Sequence, residues 1–338
     1  MIAHLGDDGF VAAPPTIFLT DSDVAEVADW PSAIEALRVA YSRPDDDRAT
    51  PTRAVAATAT GWQRVMPSAP PGAKFAGSKT ITVNLRDRLA SYLITLFDQH
   101  DSRLVALIDG NRITGIRTAA TAAVAVQRLV TTSAVAVAVI GSGFEAREQL
   151  RAVARVTEVA EARVFSPTLA NREAFAAELS VELGFPVLAV STAQAAAEGA
   201  ALILCAARSR DESPTVLSDW VEEDATVVSV GSTTPGQREL DTTLIGRASL
   251  IVADALDEVL HDSGDLIAAR ADGFEPDRVT ISLSALLKSA EPRPPGIAIY
   301  KSTGSGFQDI VLAELLHDRA VERGIGTQLP VGILTIRK

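Results

Sequence analysis

Residues 134–149 read AVAVAVIGSGFEAREQ. Small and β-branched side chains run without a charge over 134–140, the pattern of a strand buried on both faces of a parallel sheet. Gly141-Ser-Gly143 follows at once, and Phe144-Glu145-Ala146 opens a helix-forming run. This is the strand–turn–helix of a dinucleotide site in its G-x-G-x-x-A form. Gly141 permits the tight turn, Gly143 lets backbone N–H groups approach a pyrophosphate, and Ala146 lets the helix close on the strand. Further strands are predicted at 162–166, 186–190, 201–205, 226–230, 249–253 and near 297–300, with helices or turns at 171–183, 192–198 and 241–246. That alternation predicts an α/β fold, a Rossmann doubly wound parallel sheet.

The pattern upstream is different. Ile17-Phe18-Leu19-Thr20 is a short strand, Asp21-Ser22-Asp23 offers a helix cap, and Pro31 with Ser32 starts a helix reaching Tyr41. From 53 to 108 the segments RAVAAT, WQRVM, KFAGSKTITVNL, SYLITLFD and LVALID are separated by Gly, Pro and Asp turns. They predict an antiparallel β region. An alanine-rich helix at 118–130 should bridge into the nucleotide domain, and an amphipathic helix is expected at 308–323. The expected organisation is a smaller α+β substrate and dimerisation domain (1–120 with 305–338) and a Rossmann domain (121–304). Residues 1–15 read as a loose leader.

Composition narrows the partners. A net charge of −12 argues against nucleic acid and anionic membrane, both of which demand a basic surface. No apolar run approaches the ~20 residues of a membrane helix. The one cysteine, Cys205, excludes an internal disulfide and fits a reducing cytoplasm. Four scattered histidines show no metal-ligand spacing, and the first residues carry no signal-peptide pattern.

Four stretches together resemble the ornithine cyclodeaminase/mu-crystallin family. They are Gly72-Ala-Lys74, the run from Asp109 through Arg117 to Ala120, Val230-Gly-Ser-Thr-Thr-Pro235 with Arg238-Glu-Leu-Asp241, and Tyr300-Lys301-Ser-Thr-Gly304 with Asp309. The resemblance implies a homodimer that binds NAD or NADP and acts on small α-amino or α-imino acids. It assigns Arg53 and Arg117 to the substrate carboxylate, where a guanidinium fork can fix orientation. It assigns Lys74 to the reacting nitrogen or carboxylate. Crowded by arginines, that lysine should have a lowered pKa suited to proton donation. Lys74 and Arg117 are thus the expected catalytic pair.

For the cofactor, the resemblance implies Ser91, Arg117 and Thr118 in addition to Gly141, Gly143, Phe144 and Glu145. Thr118 is placed at a helix N-terminus, where hydroxyl and amide can meet a phosphate. Cys205, Ala206, Val230 and Ser232 fall at later strand ends, and Ser302 and Thr303 match a segment packed on the nicotinamide. Lys301 reads as a surface charge, and Ala90 replaces a histidine found in relatives. The second Rossmann strand leads into Ser166-Pro167-Thr168, with Asn171 and Arg172 beyond and no carboxylate before Glu173. An NAD-specific site usually ends that strand in Asp or Glu, so NADP(H) is the expected preference, with NAD(H) tolerated. Two departures bear on the reaction. Thr233 stands where cyclodeaminases carry a water-activating aspartate, and Arg64 where they carry a glutamate. The expected activity is therefore reduction of a ketimine or cyclic imine, or amino acid dehydrogenation. The alternatives are a cyclodeaminase-type lyase and a non-catalytic, crystallin-like cofactor binder.

Overall fold

The computed structural model describes residues 15–44, 46–207, 212–330, 332–333 and 335–336. The expected leader thus lies, but for Pro15, outside the described residues. The chain divides into two compact units, 1–117 with 305–338 and 118–304.

The first unit is a seven-stranded mixed sheet. Its strands are β1 (Ile17–Leu19), β2 (Ala54–Ala57), β3 (Gly61–Ser68), β4 (Phe75–Asn84), β5 (Leu89–Asp98), β6 (Leu104–Asp109) and a C-terminal strand at Thr327–Gln328. β2 to β6 form a continuous antiparallel meander, while β1 lies parallel to β6 and antiparallel to the C-terminal strand. Thr20 caps the helix α1 (Asp21–Val27) through a reciprocal pair with Asp23, and Asp29 caps α2 (Trp30–Tyr41). The last helix, Gly306–Arg323, packs on β3, β4 and β5. Two bare Cα positions allow its approach. A Cβ on Gly77 would come within 2.9 Å of Ile310 Cδ1, and one on Gly306 within 2.5 Å of Met66 O.

Side chains alternate across each strand, so this sheet has two unlike faces. Met66, Lys79 and Ile94 stand opposite one another and are buried on the helix-covered face. On the other face Leu89, Leu93 and Phe97 are exposed.

The second unit is an eight-stranded sheet in which every pairing is parallel. Its strands are β7 (Val135–Ile140), β8 (Val159–Phe165), β9 (Val187–Ala189), β10 (Leu202–Cys205), β11 (Thr226–Ser229), β12 (Ala248–Ala253), β13 (Thr280–Ser282) and β14 (Ile297–Lys301). The order β13-β12-β14-β11-β10-β7-β8-β9 puts β8 and β9 on one side of the first strand, β7, and β10 and β11 on the other, with the last strand, β14, inserted between β11 and β12. Adjacent strands at such a reversal leave a crevice at their carboxyl ends, where doubly wound sheets take their ligands. β13 is absent from the sequence reading because Thr280-Ile-Ser has only one apolar residue.

The helix α3 (Gly110–Leu129) starts eight residues earlier than expected. Asp109 supplies the start signal, its carboxylate accepting the Asn111 amide at 3.0 Å. Arg117 and Thr118 therefore sit inside the helix. The Thr118 amide is committed to the helical ladder and cannot serve as an end-of-helix phosphate ligand. None of the described helices is long and apolar enough to cross a membrane.

Candidate active site

In the first unit the buried chemistry centres on Lys79, not Lys74. Lys79 and Asp309 are both fully buried, with Nζ 2.8 Å from Oδ2 and 2.9 Å from Oδ1. Asp309 also holds Arg117, whose Nε lies 3.1 Å from Oδ1. Arg117 Nη1 donates to Gln308 Oε1 at 2.7 Å, and Gln308 Nε2 donates to the Tyr41 hydroxyl at 2.9 Å. Thr114 Oγ1 stands 3.4 Å from Lys79 Nζ. Asp309 is placed by the first turn of the last helix, Lys79 by the middle of β4, and Arg117 by the third turn of α3.

Lys74 belongs elsewhere. Its side chain is 62% exposed and pairs with Asp318 at 2.5 Å. The hydrogen bond to that carboxylate raises the Lys74 pKa, the opposite of the expected lowering. Its main-chain N–H meets Glu314, whose own pKa burial pushes up. The two lysines read differently in the sequence. Lys74 ends a glycine-containing turn, whereas Lys79 lies in a run, Gly77-Ser-Lys-Thr-Ile-Thr-Val, that reads as an ordinary half-exposed strand. Its pairing residue is 230 positions away, where no local pattern can show it.

Arg53 is half-buried and immediately precedes β2, two strands or about 10 Å across the sheet from β4. Arg64 pairs with Ile81, two residues on from Lys79, so both cations project from the same face. Its guanidinium lies 5.0 Å from the Trp62 ring. Ser91 pairs with Thr82 on the opposite, outer face and is exposed, so the structure separates it from the Lys79 cluster.

In the second unit the glycine turn has the form its sequence requires. Gly141 has φ +115°, and a Cβ there would fall 2.7 Å from Ala206 O. Gly143 is the N-cap of α4 (Phe144–Val153), with no side chain capping the helix and open space where a Cβ would stand. Ala146 is fully buried, Phe144 is exposed, and Glu145 occupies the first turn, where the helix dipole favours an acid. At the end of β8, buried Ser166 takes a hydrogen bond of 2.8 Å from Ser142 Oγ. Pro167, Thr168 and Asn171 are exposed, and Thr168 begins α5 (Leu169–Leu183) without capping it through its side chain. Arg172 folds back, donating to Ser166 O at 2.8 Å with its guanidinium 5.8 Å from the Phe165 ring.

Cys205, Val230 and Ser232 lie buried at the ends of β10 and β11, and Ala206 is half-buried. The Cys205 thiol is pushed well up by burial and then by the Glu239 charge. Ser302 and Thr303 follow β14. Asp254 gathers this loop by accepting from Ser302 Oγ at 2.7 Å, Thr303 N at 3.0 Å and Gly304 N at 2.9 Å. The Thr303 hydroxyl is buried with no hydrogen-bond partner among the described residues. An orphaned hydroxyl, an open glycine cap and a glycine forced to positive φ all fit a dinucleotide on these strand ends.

Lys301 departs from the expected surface charge. It is fully buried, 2.6 Å from Asp265 Oδ2, 2.8 Å from Ser229 Oγ and 2.9 Å from Ser232 O. A strand such as Ala-Ile-Tyr-Lys hides this, because the acid that neutralises the lysine comes from a different helix.

Over residues 16–324 the chain matches the profile of the ornithine cyclodeaminase/mu-crystallin family. It is 27% identical over 274 residues to a Delta(1)-pyrroline-2-carboxylate reductase of Bacillus cereus, covering 78% of this chain and 83% of that protein. It is 30% identical over 226 residues to the ketimine reductase mu-crystallin of Mus musculus, covering 67% and 68%. Among solved structures, the Thermococcus litoralis Delta(1)-pyrroline-2-carboxylate reductase in complex with NADH and L-proline superposes with a TM-score of 0.85 at 26% identity. That match covers 93% of this chain and all of the other. The chain belongs to the ornithine cyclodeaminase/mu-crystallin family.

Proposed function

We propose that the protein is an NAD(P)H-dependent oxidoreductase that reduces the C=N bond of a small α-imino acid, running in reverse as an amino acid dehydrogenase. The observation that carries this reading is the buried Lys79–Asp309–Arg117 cluster. Reducing an imine needs a hydride at carbon, a proton near nitrogen and a fixed carboxylate. The nicotinamide, when bound, supplies the hydride. Asp309 holds Lys79 Nζ in place, where it hydrogen-bonds to the substrate nitrogen and supplies the proton. Arg117, oriented by Asp309 and Gln308, presents its fork to the carboxylate, and Arg53 serves the same anion. The catalytic lysine in this reading is Lys79, replacing Lys74. Its relatives named above are reductases of a cyclic imine and of ketimines, which fits this chemistry.

Arg64 argues against a diamino acid. A cation on the same sheet face as Lys79 repels a second ammonium, which an ornithine-type lyase must accept. Thr233 adds no base near neutral pH. The cofactor expectation remains NADP(H), supported by Ser166, Thr168, Asn171 and Arg172 and the missing carboxylate after β8. The archaeal relative's complex with NADH keeps NAD(H) as the competitor. Leu89, Leu93 and Phe97 on the open sheet face, with the fully exposed edge strand β2, support a homodimer, and the cytoplasm remains the expected compartment.

The test is absorbance at 340 nm with NADPH or NADH and Δ1-pyrroline-2-carboxylate, Δ1-piperideine-2-carboxylate, or pyruvate with ammonia. Net consumption of the reduced cofactor is expected. Ammonia release from ornithine without net consumption would replace this reading by the lyase, and tight cofactor binding without turnover by a binder.

A further inference from the structure

The cofactor unit hides an anionic cluster that the proposed chemistry does not use. Glu239, Asp265 and Lys301 are all fully buried, although no strand pattern brings them together. Glu239 lies in the loop beyond β11, and each of its oxygens accepts from a different strand end. Oε1 takes the Ala207 amide, just past β10, at 3.0 Å. Oε2 takes the Gly231 amide, just past β11, at 2.9 Å and the Ser229 hydroxyl at 2.7 Å. Gly231 makes this possible, because a Cβ there would collide with Oε1. The main chain of Glu239 is itself pinned, its N–H and that of Leu240 donating to Asp265 Oδ1 at 2.8 and 3.1 Å. Lys301, from the end of β14, closes the ring through Asp265, Ser229 and the Ser232 carbonyl.

Ala206 O is the atom that an added Cβ on Gly141 would meet, so the β10 loop held by Glu239 also walls the glycine turn. β10 and β11 lie on the side of β7 away from β8, the strand whose end would receive the adenosine ribose. Their loops are thus the floor of the nicotinamide half. We propose that the Glu239 carboxylate is a positioning residue that clamps the β10 and β11 loops into the shape the nicotinamide ring requires, and that it does so only as the anion. This rests on the dinucleotide reading of the site.

The charge requirement follows from the donors. Two amides and a hydroxyl point at Glu239, and a protonated carboxyl brings a hydrogen of its own into a ring already full of them. Burial pushes the Glu239 pKa up to about 7, with Asp265 adding to the rise and Lys301, Ser229 and the Gly231 amide opposing it. Cys205, at the end of β10, also faces it and stays a neutral thiol.

Binding of NADH and of ADP-ribose, which lacks the nicotinamide, measured by calorimetry from pH 6 to 9 on the full chain, tests the clamp. NADH avoids the 2′-phosphate of NADPH, which itself titrates near pH 6. Wild type should bind NADH about tenfold more weakly at pH 6 than at pH 8, with little change for ADP-ribose. Glu239→Gln should show the weak NADH binding at every pH and keep its ADP-ribose affinity. Ser229→Ala, which removes one of the opposing donors, should move the midpoint to higher pH and is informative even if Glu239→Gln fails to fold. A pH-independent NADH affinity in wild type, or an unmoved midpoint in Ser229→Ala, would overturn the clamp. So would equal weakening of both ligands in Glu239→Gln. Failure of wild type to bind either ligand would instead overturn the dinucleotide reading itself.

Discussion

Among the described residues the protein buries two lysine–aspartate pairs, one in each unit, and they are not alike. Lys301 is caged by Asp265, a serine hydroxyl and a backbone carbonyl, which match the three donors of an ammonium. Such a lysine has nothing left to offer a ligand, and its work is to tie strand ends together. Lys79 pairs with Asp309, an acid it shares with Arg117. A carboxylate divided between two cations can yield one of them to an incoming anion at low cost, since the other keeps it neutralised. Burial is common to both lysines; the sharing of the acid with an arginine sets Lys79 apart.

The comparison can be broken in descending order of effect. Removing half of the caged pair, as in Asp265→Asn or Lys301→Met, strands a buried charge and should cost about 3–5 kcal/mol of folding free energy, read by urea unfolding. Lys79→Met should instead lower imine reduction by about 10²–10³-fold, equivalent to roughly 2–4 kcal/mol of transition-state stabilisation. If Lys79→Met kept near-normal turnover while Lys301→Met lost turnover without unfolding, the roles would be reversed. Arg172→Ala should narrow any preference for NADPH over NADH by about tenfold, or 1.4 kcal/mol, in paired titrations. Lys74→Ala should change kcat/KM by less than about twofold, because an exposed pair with Asp318 contributes at most ~1 kcal/mol to stability and nothing to the reacting centre. A large loss in that variant would restore Lys74 to the active site.

Much of the fold is legible in the sequence because the signals are local. The uncharged run before Gly141 and the alternation over 53–108 each give elements within a few residues of those observed. The start of α3 is hidden because Asp109 closes an apolar strand, so its capping role is masked. The candidate site is less legible, since its decisive feature is pairing over distance. Asp309 meets Lys79, Glu239 meets Ala207 and Gly231, and Asp254 meets the 302–304 loop, and none of these has a periodic signature. Motif position favours Lys74, whereas Lys79 is the fully buried lysine paired with Asp309.

Cys205 turns the cofactor sheet into its own stability gauge. The thiol is the only one in the chain, ends a central strand, and is sealed from water with its ionisation suppressed. A thiolate reagent can modify it only after β10 parts from β7 or β11, so the labelling rate counts openings of that sheet. Ligands that bind the closed sheet should slow labelling in proportion to their occupancy. Cofactor affinity is then measurable by mass spectrometry without substrate or turnover.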